Sequence, residues 1–234
     1  MRDSDTSLGV RPGVAAAAAL VLLVAFALLA VLVVGDWGPL HELDTTVTNA
    51  LHGFAVGHRG WVRAMLVWCV VFHPNTWRVA ALLLAVWLLR RGARPAAIWV
   101  AITMTVGGVF DALLRLLVGR HRPDLLDPVA RAPGLSFPSG HAFNNALGAC
   151  VFLLVLLPFV RDRPVRRVAL WAAAIVIPLV TAFCRVGLGV HYTSDVVAGL
   201  LLGVAFVAGL AAAYETWRRR RPVAGADPGV AGKS

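Results

Sequence analysis

The sequence predicts an all-α membrane protein, a six-transmembrane-helix bundle with short interfacial amphipathic helices between the first and second spans. Three observations carry this. Of 234 residues, 59% are hydrophobic and only 15% charged, and the mean hydropathy of +0.77 lies outside the range of ordinary soluble domains. The apolar residues fall in long runs, and a helix crosses a bilayer with about 20 of them. The basic residues fall in short clusters between the runs.

The first run, Val14–Val34, follows MRDSDTSLGVRPG. It is longer than the core of a cleaved signal peptide and long enough to span a bilayer, so it reads as a retained span. Further spans are expected near Thr76–Leu89, Ala96–Leu114, Ala142–Val160, Val168–Cys184 and Val196–Tyr214. Between the first two, LDTTVTNALHGFA (Leu43–Ala55) reads as an amphipathic helix on the interface. WVRAMLVWCVVF (Trp61–Phe72) reads as a short helix dipping into the membrane edge. No linker rich in Ser, Gly or Pro divides the chain. We expect a tail over residues 1–13, one membrane domain over residues 14–217, and a basic, disordered tail over residues 218–234.

The arginines give the orientation. With six spans, Arg2 and Arg11, then Arg90, Arg91 and Arg94, then Arg161, Arg163, Arg166 and Arg167, then Arg218 to Arg221 all fall on one side. Positive charge marks the cytoplasmic face, so both termini are expected there. Removing one span would scatter the clusters over both faces. This placement also accounts for the net charge of +10 without nucleic acid as a partner. Cys69, Cys150 and Cys184 all sit in apolar stretches, with no CxxC, which fits neither a disulfide framework nor a zinc site.

A second set of polar residues opposes the positive-inside bias. Arg115, Arg120, Arg122, Arg131 and Arg185, with His141, His191 and Asp195, all fall on the outer face. Most belong to three short motifs: RLLVGRHRP (Arg115–Pro123), PSGH (Pro138–His141) and CRVGLGVHYTSD (Cys184–Asp195). Arg115, Arg122 and Arg185 offer forked donors that match phosphate oxygens. Ser139 and Gly140 precede a helix whose N-terminal N–H groups favour an anion. His191 and Asp195 are four residues apart, so a carboxylate faces the imidazole and can fix its tautomer. His191 is thereby a candidate nucleophile and His141 a candidate general acid. Taken singly, each motif is equally a turn, a cap or a headgroup contact. Their coincidence at one depth is what points to a site.

With these residues in place, the chain resembles the type 2 phosphatidic acid phosphatase family, whose site pattern is shared with vanadium haloperoxidases. The family's first motif ends in Arg-Pro, as Arg122–Pro123 do, and Arg115 stands where the family has lysine. PSGH matches in full. In the third motif Cys184 replaces a serine, and Arg185, His191 and Asp195 match. The resemblance implies that His191 attacks phosphorus to give a phosphohistidine, His141 protonates the leaving oxygen and Asp195 orients His191. It implies that Arg115, Arg122, Ser139, Gly140 and Arg185 hold the phosphoryl oxygens. No cofactor and no metal is expected, and the outer face carries no carboxylate cluster of the kind magnesium favours.

The expected activity is hydrolysis of a lipid phosphate or pyrophosphate at the extracytoplasmic face of the cell membrane. Polyprenyl pyrophosphate, phosphatidic acid and phosphatidylglycerol phosphate are the candidate substrates, and the motifs do not separate them. Transfer of the phosphoryl group to an alcohol is a second reading. An anion transporter is a third, but the spans are nearly free of charge between their ends, apart from Asp111. The motifs carry nothing on oligomeric state. Asn144 and Asn145 are expected to hydrogen-bond to a neighbouring helix. Asp111, one turn before Arg115, is expected to pair with it, and His121 reads as a plain interface residue.

Overall fold

The computed structural model describes residues 7–126 and 128–220. Eight α-helices and no strands are present among the described residues: α1 Pro12–Val34, α2 Gly38–Gly57, α3 Arg59–Val71, α4 Pro74–Arg90, α5 Arg94–Val118, α6 Gly140–Leu156, α7 Pro164–Gly187 and α8 Thr193–Arg220. Six apolar stretches are long enough to cross a membrane: Pro12–Val34, Arg59–Arg90, Arg94–Val118, Gly140–Val160, Pro164–Gly187 and Thr193–Arg220. The fold class and the number of spans agree with the sequence reading.

Two boundaries differ. The second span was expected over Thr76–Leu89 alone, but α3 runs into α4 with only Phe72 and His73 between them. Pro74 lacks an N–H to donate to the helix before it, so the chain kinks there and restarts with Pro74 in its first turn. Helix α8 continues through Arg218–Arg220, which the sequence had placed in the tail. Residues 1–6 and 221–234, where the rest of both tails and Arg2 and Arg221 fall, lie outside the described residues.

Helices α6 and α8 form the centre. Phe143, Leu147, Val151 and Val155 of α6 are buried with Leu202, Val207 and Ala211 of α8. Between lipid-embedded helices there is little hydrophobic drive, so close approach through small residues does the packing. Gly199 and Gly203 are such residues. A β-carbon at either would come within 2.7 Å of a main-chain oxygen of the facing chain, that of Ser139 or Phe143. Helix α1 lies outermost, packs on α8 and buries only Ala19.

Several contacts gather the ends away from the motifs. Trp87 meets Phe159 edge to face, the Trp99 indole donates to the Leu210 carbonyl, and buried Glu215 accepts from the Leu8 N–H at 2.6 Å. The last contact brings the described N-terminal segment to the end of α8, as an even number of crossings requires.

Candidate active site

Each motif ends on a feature that turns the chain. Helix α5 stops at Gly119, whose φ of 70° is left-handed and favours glycine, and whose N–H bonds to the Arg115 carbonyl. The following loop carries Arg120 and Arg122 and leads to PSGH, where Ser139 is the N-cap residue of α6. Helix α7 ends at Gly187, and a short turn through Gly189, also left-handed, sets His191 just before α8.

The structure brings the motifs together pairwise. Arg115 of the first lies against Gly140 of the second; a β-carbon there would sit 3.2 Å from its guanidinium carbon. Without a β-carbon, glycine lets the cation approach this closely without displacing it. Ser139 of the second donates its N–H to the Asp195 carbonyl of the third at 2.9 Å. Arg122 of the first places Nη1 2.9 Å from His191 Nε2. The remaining donors of Arg122 reach the carbonyls of Pro133, Gly134, Leu135 and Val190, so this arginine also fastens the loop to the His191 turn.

His191 is 2% exposed, and its Nδ1 stands 3.4 Å from Asp195 Oδ2. With the proton on Nδ1, the lone pair of Nε2 faces Arg122. Burial, aided by the charges of Arg185 and Arg122 and opposed by Asp195, lowers its pKa from the usual 6.5 to about 4. The imidazole is therefore neutral at pH 7. Burial and the neighbouring Arg185 bring Arg122 down to about 10, still charged at neutral pH.

His141, half-buried in the first turn of α6, packs against the His73 ring with centroids 5.2 Å apart. Arg185 is buried, and its Nε has no hydrogen-bond partner. The same holds for the Ser139 hydroxyl. Buried donors are normally satisfied, and two such orphans beside charged groups suit an acceptor-rich ligand. Among the described residues no three His, Cys, Asp or Glu side chains cluster as metal ligands would.

All eight residues read as a site from sequence thus lie at one end of the bundle. Arg115 pairs with Asp111 at 2.9 Å, as expected. Asn145 joins three helices: it accepts from Trp77 and Thr181, and donates to the carbonyls of Phe72 and His141. Asn144 donates to the Gly140 carbonyl of its own helix, and its side chain also interacts with Asp111 of the neighbouring α5. His121 is exposed.

Sequence reasoning missed Asp44, His73 and Ser194, and counted Arg120 without giving it a role. Asp44 belongs to α2, whose buried face of Asp44, Thr48 and His52 is polar. The four-residue spacing was visible, but an amphipathic helix was expected to bury its apolar side.

Fold and site together define an all-α, multi-pass membrane protein with paired histidines and an arginine cluster at one end. The sequence profile described as PAP2 superfamily matches residues 96–219, and the chain belongs to that superfamily. Among curated relatives, it is 32% identical over 99 residues to phosphatidylglycerophosphatase B of Bacillus subtilis (strain 168), covering 41% of this chain and 47% of that one. It is 34% identical over 116 residues to lipid A 4'-phosphatase of Bacteroides thetaiotaomicron, covering 44% and 47%. It is 28% identical over 126 residues to undecaprenyl-diphosphatase of Sulfolobus acidocaldarius, covering 51% and 55%. The chain spans about half the length of these relatives. The fold matches the crystal structure of a transmembrane PAP2 type phosphatidylglycerolphosphate phosphatase from Bacillus subtilis with a TM-score of 0.76. That match covers 87% of this chain and 98% of the other at 20% identity.

Proposed function

We propose that the protein hydrolyses a lipid phosphate or pyrophosphate at the extracytoplasmic face of the membrane through a phosphohistidine. The observation that carries this is the meeting of three arginines, an α-helix N-terminus and two histidines around the orphaned Ser139 hydroxyl and Arg185 Nε. The relatives, a phosphatidylglycerophosphatase, a lipid A 4'-phosphatase and an undecaprenyl-diphosphatase, support the same class.

In this reading Arg115, Arg122 and Arg185, with Ser139 and the N–H groups at Gly140, hold the phosphoryl oxygens and spread their charge as the transition state forms. The Nε2 lone pair of His191 attacks phosphorus. The bond from phosphorus to the lipid oxygen breaks, and His141 gives that oxygen a proton. Asp195 stabilises the cationic ring that results. Water then attacks the phosphohistidine, returns a proton to His141 and releases phosphate. A pyrophosphate would leave as the lipid monophosphate.

The substrate's tail has a place in this account. A groove of about 470 Å³ between α4 and α5 is lined by Ala81, Leu82, Ala85, Met104 and Val109, with Arg78 at its rim. Arg78 stands close enough to Asp111 for its charge to act there. A lipid entering sideways would keep its chain in this groove while its head reached the arginines.

Phosphate release from phosphatidylglycerophosphate, phosphatidic acid and a polyprenyl diphosphate, measured in detergent with and without EDTA, tests the proposal. Turnover of at least one that survives chelation is expected. Failure on all three, or activity lost with EDTA and restored by magnesium, contradicts it.

A further inference from the structure

We propose that Asp44, on α2 between the first two spans, is a positioning residue for His191 and acts through Arg120 and Asp195. The inference rests on the active site proposed above. Asp44 lies outside residues 96–219, so none of the family motifs contains it.

Asp44 and Asp195 are both fully buried, and Arg120 lies between them. Its Nη1 reaches Asp195 Oδ1 at 2.6 Å and its Nη2 reaches Asp44 Oδ2 at 2.8 Å. Arg120 also donates to the Ser194 hydroxyl and lies over the Tyr192 ring, its guanidinium carbon 4.4 Å from the centroid. The second oxygen of Asp44 accepts the Ser194 N–H at 2.8 Å, and the Ser194 hydroxyl donates to Asp44 Oδ2. Asp44 thus sits on the positive end of α8, where a carboxylate is stabilised.

Burying a second carboxylate is costly unless it is fully paired. This one has a use. A guanidinium facing a single carboxylate tends to bind both of its oxygens as a fork. Here the fork is split between two carboxylates. Asp195 gives Arg120 only Oδ1, and its Oδ2 is left for the Tyr192 N–H and His191 Nδ1. The two carboxylates against one guanidinium also leave the cluster with a net negative charge behind His191. That charge supports the imidazolium character the ring acquires when it bonds to phosphorus. The other charged or titratable groups acting on His191 are Arg122 from the loop, Arg185 of α7 and His141 of α6. The arginines oppose that support, which makes the negative side decisive.

The test is a double-mutant cycle on the full-length protein in detergent, read as kcat and KM for a lipid phosphate that the wild type hydrolyses. Asp44→Asn should lower kcat by about 10- to 100-fold with KM within about twofold, as expected for support felt only in the transition state. In an Asp195→Asn background the same change should cost less than about threefold, because the path to His191 is already cut. Arg120→Lys, whose ammonium cannot span both carboxylates as a fork does, should show the same loss and the same non-additivity. It serves if Asp44→Asn does not fold. Wild-type kcat in folded variants, or losses that multiply with that of Asp195→Asn, would overturn the proposal. His191→Ala is measured alongside. If it turns over, the site itself is misread and the Asp44 relay falls with it. If it is inactive while Asp44→Asn is fully active, only the relay falls.

Discussion

Adding one methyl group to α8 should displace the turn proposed to hold the phosphoryl group. Gly199 lies four residues after Asp195, on the same face of the helix. Its hypothetical β-carbon falls 2.7 Å from the Ser139 oxygen and 3.0 Å from the Phe143 nitrogen, which bond to each other in the first turn of α6. Both are main-chain atoms and cannot swing aside. Ordinary contact begins at 3.4 Å, so Gly199→Ala must push the PSGH turn and the start of α8 apart by about 0.7 Å. The helix holding the phosphoryl site then shifts against the segment holding His191. A misplacement of about 1 Å can cost on the order of 10²-fold in rate. We therefore expect kcat to fall about 10- to 100-fold, read as phosphate release in detergent beside a thermal unfolding curve. Gly209→Ala on the same helix is the control, since its β-carbon would meet only Ala19 Cβ at 3.9 Å. It should keep wild-type turnover and gain about 0.5–1 kcal/mol from helix propensity. Wild-type kcat and stability in Gly199→Ala, or an equal loss in Gly209→Ala, would refute the reasoning.

Other outcomes follow from the same geometry. Reporter fusions at both termini should be cytoplasmic, because the arginine clusters share that end; an extracytoplasmic C-terminus contradicts this. In the proposed mechanism the nucleophile is the neutral imidazole of His191, and burial with Arg185 and Arg122 holds its pKa near 4. The acid limb that His191 sets on kcat/KM should therefore be reached only as pH falls through about 4. A limb at pH 6.5 or above would mean that His191 is not so buried in the working enzyme. His141→Ala should lose about 10²–10⁴-fold on an alkyl phosphate, whose leaving oxygen needs a proton, and recover part of that on an aryl phosphate. Equal losses on both substrates would remove His141 from the acid role.

The spans were legible because each is a run of apolar residues closed by arginines, a pattern that needs no tertiary information. The candidate site could be assembled from sequence because its residues stand in three compact motifs at helix ends, where the chain must turn. What escaped depends on contacts between distant segments. Asp44 is one carboxylate in an unremarkable helix, and it matters only because α2 folds over the start of α8, 150 residues away. The continuity of α3 with α4 was hidden by His73–Pro74, which reads as a break and is a kink. Asn144 and Asn145 are adjacent in sequence. A helix turns about 100° per residue, so Asn145 faces the Phe72–Trp77 corner while Asn144 faces Asp111 of α5.

The central claim is that His191 becomes covalently phosphorylated. Enzyme mixed with a ³²P-labelled aryl phosphate, quenched within a turnover and separated under conditions that preserve phosphohistidine, measures this directly. Label should appear on the wild type and on His141→Ala, be released by mild acid as expected of a phosphoramidate, and be absent from His191→Ala. Label on folded His191→Ala, or none on any form while phosphate is released at the wild-type rate, would contradict the account.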